Sequence, residues 1–108
     1  MALYMIQASY TAEALATLAK NPQDRTPGVA AVAEKLGGKL LHLFYALGDS
    51  DIVGIIELPD AATATAAALA IVSPGHLRSY KTTPLLTVQE AMEGMRKAGE
   101  LTYQAPKG

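Results

Sequence analysis

Two carboxylates and a hydroxyl lie together between two apolar runs, in the tetrapeptide Gly48-Asp49-Ser50-Asp51. Glycine, aspartate and serine are typical of tight turns, which favours a simple hairpin connection. A functional interpretation is also open, because Asp51 lies just inside the following apolar run, where a carboxylate with a raised pKa can act as a general base. Asp49 is expected to point to solvent.

The only two histidines are His42 and His76. They do not have the spacing of metal ligands, and the chain contains no cysteine, so we predict no metal site and no cofactor. A single histidine can move a proton near neutral pH, which makes His42 a second candidate catalytic residue. Strand alternation places His42 with Phe44 on the helix side of a sheet, whereas His76 is expected in a loop.

Polar side chains on the strands form a third candidate set. Arg78, Tyr80 and Thr82 share one face of a predicted strand, and Gln7 and Ser9 are expected to share a cavity with them. A few polar groups at one end of an apolar chamber suit a small aromatic or carboxylate-bearing ligand, although a hydrated dimer rim has the same composition. The candidate ligand-binding residues are Gln7, Tyr45, Asp51, Arg78 and Tyr80.

Composition limits the possible functions. The 108 residues suit one domain, and 9 Lys and Arg against 10 Asp and Glu give a net charge of −1. Because the basic residues are scattered, we expect no nucleic-acid partner. The N-terminus lacks the pattern of a signal peptide and no apolar run is long enough to span a bilayer, so the expected location is the cytoplasm without a membrane partner.

Periodicity and capping residues define the elements that must position these side chains. Thr11, Asp60 and the Thr87–Glu90 capping box each precede a helical pattern, and Thr26 with Pro27 opens another. We predict strands over 2–9, 39–47, 51–58 and 76–83, helices over 12–20, 27–36, 61–72 and 88–98, and an extended tail over 99–108.

The central hairpin is predicted to turn through a three-residue loop at 48–50. On one face this register pairs Leu47 with Asp51, Tyr45 with Val53 and Leu43 with Ile55. Phe44 then lies opposite Gly54 on the other face, where the glycine leaves room for the ring.

This order of elements is typical of an α+β, ferredoxin-like βαββαβ fold with an additional C-terminal helix. In that fold the main helices cover one face of a four-stranded antiparallel sheet. The other face is expected to carry Met5, Leu41, Leu43, Tyr45, Val53 and Ile55. Because such a face is too apolar to be left in water, we infer a homodimer or higher homo-oligomer in which two sheets pack face to face.

Several short motifs together resemble the GYD-domain family of small bacterial proteins. They span almost the whole chain: Asn21-Pro22 with Arg25, Glu34 with Leu36-Gly37-Gly38-Lys39, Phe44 to Gly48, Asp51 to Val53, Glu57 to Asp60, Arg78 to Thr83, and Tyr103 to Pro106. Gly48 and Asp51 match the motif that names the family, whereas Ser50 replaces its tyrosine. The resemblance implies a single domain over 1–108, related to the dimeric α/β-barrel superfamily, with a cavity between two sheets and no settled activity.

These observations leave three functional hypotheses. The first is a homo-oligomeric domain that binds a small apolar or aromatic molecule. The second is a cofactor-independent isomerase or monooxygenase, in which Asp51 or a histidine moves a proton and Arg78 or Tyr80 stabilises an enolate-like charge. The third is a structural or regulatory assembly module without a ligand.

Overall fold

A computed structural model describes residues 1–107 of the chain. The elements follow in the order β1 (Ala2–Tyr10), α1 (Ala12–Lys20), α2 (Thr26–Lys35), β2 (Lys39–Tyr45), β3 (Ile52–Leu58), α3 (Ala61–Val72), β4 (Leu77–Leu85) and α4 (Val88–Gly99). The predicted order of strands and helices is confirmed, and the ends of most elements lie within two residues of the predicted ones. In the part of the chain described here, every helix is too short or too polar to cross a bilayer.

The four strands form one antiparallel sheet in the order β2-β3-β1-β4. This is the ferredoxin-like fold, with α4 added after the last strand. The central strands β1 and β3 are flanked by two edge strands that are both irregular. An extra residue, Leu41, interrupts the pairing of β2, and Arg78 does the same in β4. The edge strand β4 also contains Pro84, which lies opposite Tyr4.

The core lies between one face of the sheet and the helices α2 and α3. Alternate residues of the two central strands point into it, and Ile56 and Leu58 are almost completely buried. The helices contribute the small side chains Ala33, Ala64 and Ala67. Because these side chains are short, the helix backbones can approach the sheet closely, and the strands supply most of the buried apolar volume.

Side chains at the N-termini fix where the helices begin. The hydroxyl of Thr11 accepts the Ala14 N–H, and the carboxylate of Asp60 accepts the Thr63 N–H. The predicted capping box at the start of α4 is also present. Thr26, however, is not the N-cap of α2 as predicted. It is the first helical residue, and its N–H donates to a carboxylate oxygen of Asp24 at 2.9 Å.

The sequence Gly37-Gly38 ends α2 and begins β2. Gly37 has a φ of 80°, a conformation that favours glycine. Gly38 is required for a different reason, because a Cβ at this position would overlap the carbonyl oxygen of Glu57. The second glycine thus allows the backbone of β2 to start directly beside the end of β3.

The pairing of β2 with β3 differs by one residue from the predicted register. Leu43 lies opposite Gly54, and Phe44 lies opposite Val53. The reason is the loop length: the Ala46 N–H donates to the Asp51 carbonyl at 2.8 Å, so the loop contains four residues, 47–50, and not three. Since side chains alternate along a strand, this shift exchanges the two faces of β2.

We call the face of the sheet that the helices leave uncovered the open face. Because of the shifted register, this face carries different residues of β2 from those predicted. Leu43 and Tyr45 belong to the helix side of the sheet, whereas His42 and Phe44 belong to the open face. Their rings stack there, with centroids 6.0 Å apart. By register, the open face carries Leu3, Met5, Gln7, His42, Phe44, Val53, Ile55 and Lys81.

The helix α4 stands away from the rest of the chain. None of its residues is buried, and Met95 is 68% exposed. The radius of gyration is 17.6 Å, well above the roughly 13 Å of a compact domain of about 100 residues. The apolar side of α4, formed by Val88, Met92 and Met95, therefore has no packing partner within the described part of the chain.

Candidate functional site

A cavity of about 180 Å³ lies between the helix side of the sheet and the helices α2 and α3. Its walls are mostly apolar and include Gly54, against which the Leu43 side chain packs so closely that a Cβ there would lie 3.2 Å from a Leu43 methyl group. The apolar wall is formed by Ile6, Ala8, Val29, Val32, Leu43, Ile52, Ala70, Ile71 and Leu77. Concave apolar spaces with a few polar groups are the usual form of small-molecule sites.

Three polar residues of the cavity lie where it meets a second space. Tyr10, Arg25 and His76 line it there, and the Tyr10 and His76 rings have centroids 6.1 Å apart. The same three residues and Pro74 also line a groove along α1. The two spaces meet at these residues, which we call the cavity mouth.

Three separate segments bring the mouth together. Tyr10 is the last residue of β1, and the following Thr11 N–H donates to the carbonyl of His76 at 3.0 Å. This hydrogen bond places the loop before β4 beside the end of β1. Arg25 comes from the turn before α2, at the residue that precedes the first helical turn.

Tyr45 holds that turn in place. Its hydroxyl accepts the main-chain N–H of Arg25 and donates to the carbonyl of Gln23, both at 3.3 Å. The ring extends from the last residue of β2, so the end of this strand is tied to the start of α2. Tyr45 thus supports the mouth from outside the cavity lining.

Asp51 has a structural partner as well. One of its carboxylate oxygens, Oδ2, accepts the main-chain N–H of Tyr10 at 2.9 Å. The Asp51 N–H donates to the carbonyl of Ala8, and the Ser9 hydroxyl donates to the carbonyl of Asp49. These three contacts hold the loop 47–50 against the end of β1. The tetrapeptide Gly48-Asp49-Ser50-Asp51 thus has the geometry of a hairpin turn.

Burial affects the two phenols that line the cavity. The pKa of Tyr10 is raised above its ordinary value, mainly because the side chain is buried. The neighbouring Tyr45 and Asp51 raise this pKa further, whereas the Arg25 guanidinium lowers it. Burial also raises the pKa of Tyr80. Both hydroxyls are therefore protonated at neutral pH and can donate hydrogen bonds.

The predicted site residues do not all come together. Tyr80 lies opposite Ala8 on the helix side and lines the cavity, whereas Gln7 lies opposite Lys81 on the open face. Gln7 and Tyr80 therefore cannot share the chamber predicted for them. Arg78, the extra residue of β4, is exposed outside the cavity lining.

His42 also lies away from the cavity. It is exposed on the open face, which corrects the predicted helix-side position, and its catalytic role stays a prediction, as does that of Asp51. Within residues 1–107, no three His, Asp or Glu side chains are grouped so that they could hold a metal ion.

Sequence reasoning missed the residues of the mouth. Tyr10 directly follows the predicted first strand, His76 is expected in a loop, and Arg25 belongs only to the motifs that resemble the GYD-domain family. Each lies at the end of an element, where loops carry functional groups. The missing information is the long-range pairing that joins the ends of β1 and β4.

Comparisons with known proteins agree with this architecture. The crystal structure of MtbAldR superposes with a TM-score of 0.57 at 9% sequence identity, over 80% of this chain and 52% of that chain. The chain thus spans about half the length of MtbAldR, and the likeness concerns the fold alone. No curated protein sequence matches significantly. A family model described as GYD domain matches residues 4–95, most of the sequence, and the chain therefore belongs to the GYD-domain family.

Proposed function

We propose that this chain is a small-molecule-binding domain that works as a homo-oligomer and takes its ligand in the cavity between the sheet and the helices α2 and α3. The observation that carries the proposal is the cavity itself, with mostly apolar walls and the polar groups of Tyr10, Arg25 and His76 at its mouth. Its volume, about 180 Å³, is similar to that of engineered apolar cavities of about 150 Å³ that hold one benzene molecule. The ligand is accordingly a single ring or a short chain.

Self-association is supported by two apolar surfaces that lack a partner within one chain. The open face presents Met5, Val53, Ile55 and Phe44, and Phe44 is 61% exposed. The apolar side of α4 is the second surface. A second copy can cover both, because a two-fold contact brings the same surface from each chain together. An oligomer would also bury additional apolar surface, of which a domain of this size buries only a limited fraction by itself.

The cofactor-independent enzyme is less well supported by the geometry. Asp51, the predicted base, uses a carboxylate oxygen to bind main chain and is not part of the cavity lining. An assembly module without a ligand would have no use for the apolar cavity. Ligand binding without catalysis is therefore the preferred function.

The test combines a cavity-filling variant with a matched control. Val29 is half-buried on α2 and lines the cavity, so Val29→Phe fills part of the space. Val72→Phe introduces the same ring at a position on α3 that is 39% exposed and outside the lining. Benzamide, a neutral single-ring probe, is titrated into each protein and followed by NMR, while native mass spectrometry records oligomeric mass and any retained small molecule.

We expect benzamide to bind the unmodified protein and Val72→Phe, and not Val29→Phe. Native masses should correspond to two or more chains. The binding proposal is wrong if Val29→Phe binds benzamide as well as the unmodified protein does, or if the unmodified protein binds no single-ring probe, neutral or charged. A chain that stays monomeric throughout would contradict the homo-oligomer.

A further inference from the structure

We propose that the ligand of the cavity is a small carboxylate with an apolar body, and that the guanidinium of Arg25 binds its carboxylate group at the cavity mouth. This inference rests on the proposed function, because it names the chemistry of the ligand for the same site. It concerns only the charged end of the ligand, so it can fail while ligand binding itself holds.

The charge of Arg25 is not neutralised by another residue. Among residues 1–107, the ion pair present joins Arg96 and Glu93 on α4, far along the chain from the mouth. Arg25 is half-buried, and its side chain donates one hydrogen bond, from Nη1 to the neutral amide oxygen of Gln23 at 3.3 Å. A guanidinium has five N–H donors, so most of its donors are available to a ligand.

Two carboxylates near Arg25 in the sequence or beside the mouth have other partners. Asp24 Oδ1 accepts the Thr26 N–H at 2.9 Å, and Asp51 Oδ2 accepts the Tyr10 N–H at the same distance. Glu13 lines the groove along α1 but forms no ion pair with Arg25. None of these three carboxylates forms an ion pair with Arg25. The guanidinium therefore lies beside an apolar space without a paired carboxylate, and an anionic ligand can supply one.

The backbone next to Arg25 adds a second donor. Gly28 lines the cavity, and a Cβ built on it would lie 3.5 Å from Nη2 of Arg25, so the guanidinium and the first turn of α2 are neighbours. The first N–H groups of a helix have no intrahelical acceptor and lie at its positive end. Because Gly28 has no side chain, a carboxylate held by Arg25 can approach this N–H closely.

The remaining groups at the mouth suit the same ligand. Tyr10 and His76 place a phenol and an imidazole at the end of the cavity where Arg25 lies. They can hydrogen-bond a carboxylate oxygen that Arg25 does not bind. Apart from the Tyr80 phenol, the rest of the wall is apolar, so the ligand has a charged end and an apolar body, as in an aromatic or short-chain monocarboxylic acid.

Benzoate and benzamide test this assignment because they share the ring and nearly the same shape but differ in charge. Both are titrated by NMR into the unmodified protein, Arg25→Gln, Arg25→Lys and the control Arg78→Gln, which removes an exposed arginine outside the lining. The hydrogen bond from residue 25 to Tyr45 uses main chain, so it persists in these variants. Circular dichroism and the thermal midpoint confirm that each variant is folded.

We expect the unmodified protein to prefer benzoate, and Arg25→Gln to weaken benzoate binding by about tenfold to a hundredfold, the usual effect of losing a charged hydrogen bond. Benzamide affinity should change less than twofold, Arg25→Lys should retain part of the preference, and Arg78→Gln should behave like the unmodified protein. The inference is overturned if benzoate binds no better than benzamide, or if its preference survives in Arg25→Gln. If either of these results is obtained while benzamide still binds the unmodified protein, the proposed function holds and only the role of Arg25 is wrong. If neither probe binds the unmodified protein, both proposals are wrong.

Discussion

Asp51 and Tyr10 are joined across the top of the sheet, with 2.9 Å between a carboxylate oxygen of Asp51 and the main-chain nitrogen of Tyr10. The aspartate that looked like a candidate base therefore fixes the last residue of β1, and that residue lines the cavity mouth. A turn residue thereby contributes to the candidate site by positioning its backbone.

Removing this carboxylate should destabilise the protein. We expect Asp51→Ala to lower the free energy of unfolding by about 1.5 to 3 kcal/mol, the usual range for a hydrogen bond to a charged group. Asp51→Asn keeps an acceptor oxygen and should cost less. The exposed Asp49→Ala is the control, because only the main chain of Asp49 is used in the contact with Ser9. Urea denaturation measures all three, and an equal loss for Asp49→Ala would contradict the assignment.

The close approach of β2 to β3 gives a second prediction. Gly38→Ala places a methyl group on the carbonyl oxygen of Glu57, and we expect a loss of about 3 kcal/mol, the upper end of the usual overpacking cost. Gly48→Ala is the matched control, since a Cβ there has open space and its φ is not positive. Comparable unfolding free energies for the two variants would show that the approach is looser than described.

The N-cap of α3 predicts a dependence on acidic pH. Hydrogen bonds from Thr63 lower the pKa of Asp60 below its ordinary 3.8. The stability from this cap is therefore fully present above the unfolded pKa and is lost as pH falls through the lower folded pKa. Asp60→Asn keeps a capping oxygen that does not titrate, so its stability should fall less steeply below pH 3.8. Thermal midpoints measured across the acidic range would test this, and parallel curves would contradict it.

The phenols of the cavity predict the opposite behaviour at alkaline pH. Burial raises the pKa of Tyr10 and Tyr80 above 10.0 in the folded chain. Their contribution to stability is therefore present below the unfolded pKa, and it is lost as pH rises through the raised folded pKa. In a tyrosinate absorbance titration, Tyr10→Phe and Tyr80→Phe should each remove one late-titrating phenol. If a substitution instead removes a phenol that titrates at the ordinary tyrosine pKa, that phenol is accessible to water and the prediction is wrong.

Self-association should depend on the open face and on α4. A charge at Phe44 or Met95 would be buried by the proposed contacts, so Phe44→Asp and Met95→Asp should each lower the mass measured by light scattering. Leu69→Asp is the control, because Leu69 is also exposed but lies on α3, on the other side of the sheet. An unchanged mass for both test variants would place the interface elsewhere.

The fold was predictable because local patterns agree with each other. The caps of α1, α3 and α4 are read directly from Thr11, Asp60 and Thr87, and the alternation of β1 and β3 fits a sheet with one buried face. Local patterns do not predict which side chains of β2 point to the helix side of the sheet and which point to the open face. This orientation depends on one residue of loop length and on the extra residue Leu41, and LLHLFY is apolar on both faces, so the pattern does not choose between registers.

The site was less predictable than the fold. The cavity depends on how α2 and α3 lie above the sheet, which the strand pattern does not contain. The strand pattern predicts Tyr80 as a site residue but places it beside Gln7, whereas the extra residue Arg78 in β4 shifts it to the helix side of the sheet. Arg25 and His76 lie in connections, and only tertiary hydrogen bonds such as Thr11 N–H to His76 O bring them to one place.

The irregular edge strands also affect whether a strand of one chain can add to the sheet of another. A regular edge is a template for strand addition, which leads to fibrils, and natural proteins block it with bulges, prolines and lysines. Here Pro84 removes a donor from β4, and Leu41 interrupts the other edge at β2. An incoming strand would find an interrupted hydrogen-bond ladder on either side. For the homo-oligomer proposed above, these edges favour closed assemblies of defined size over open-ended growth.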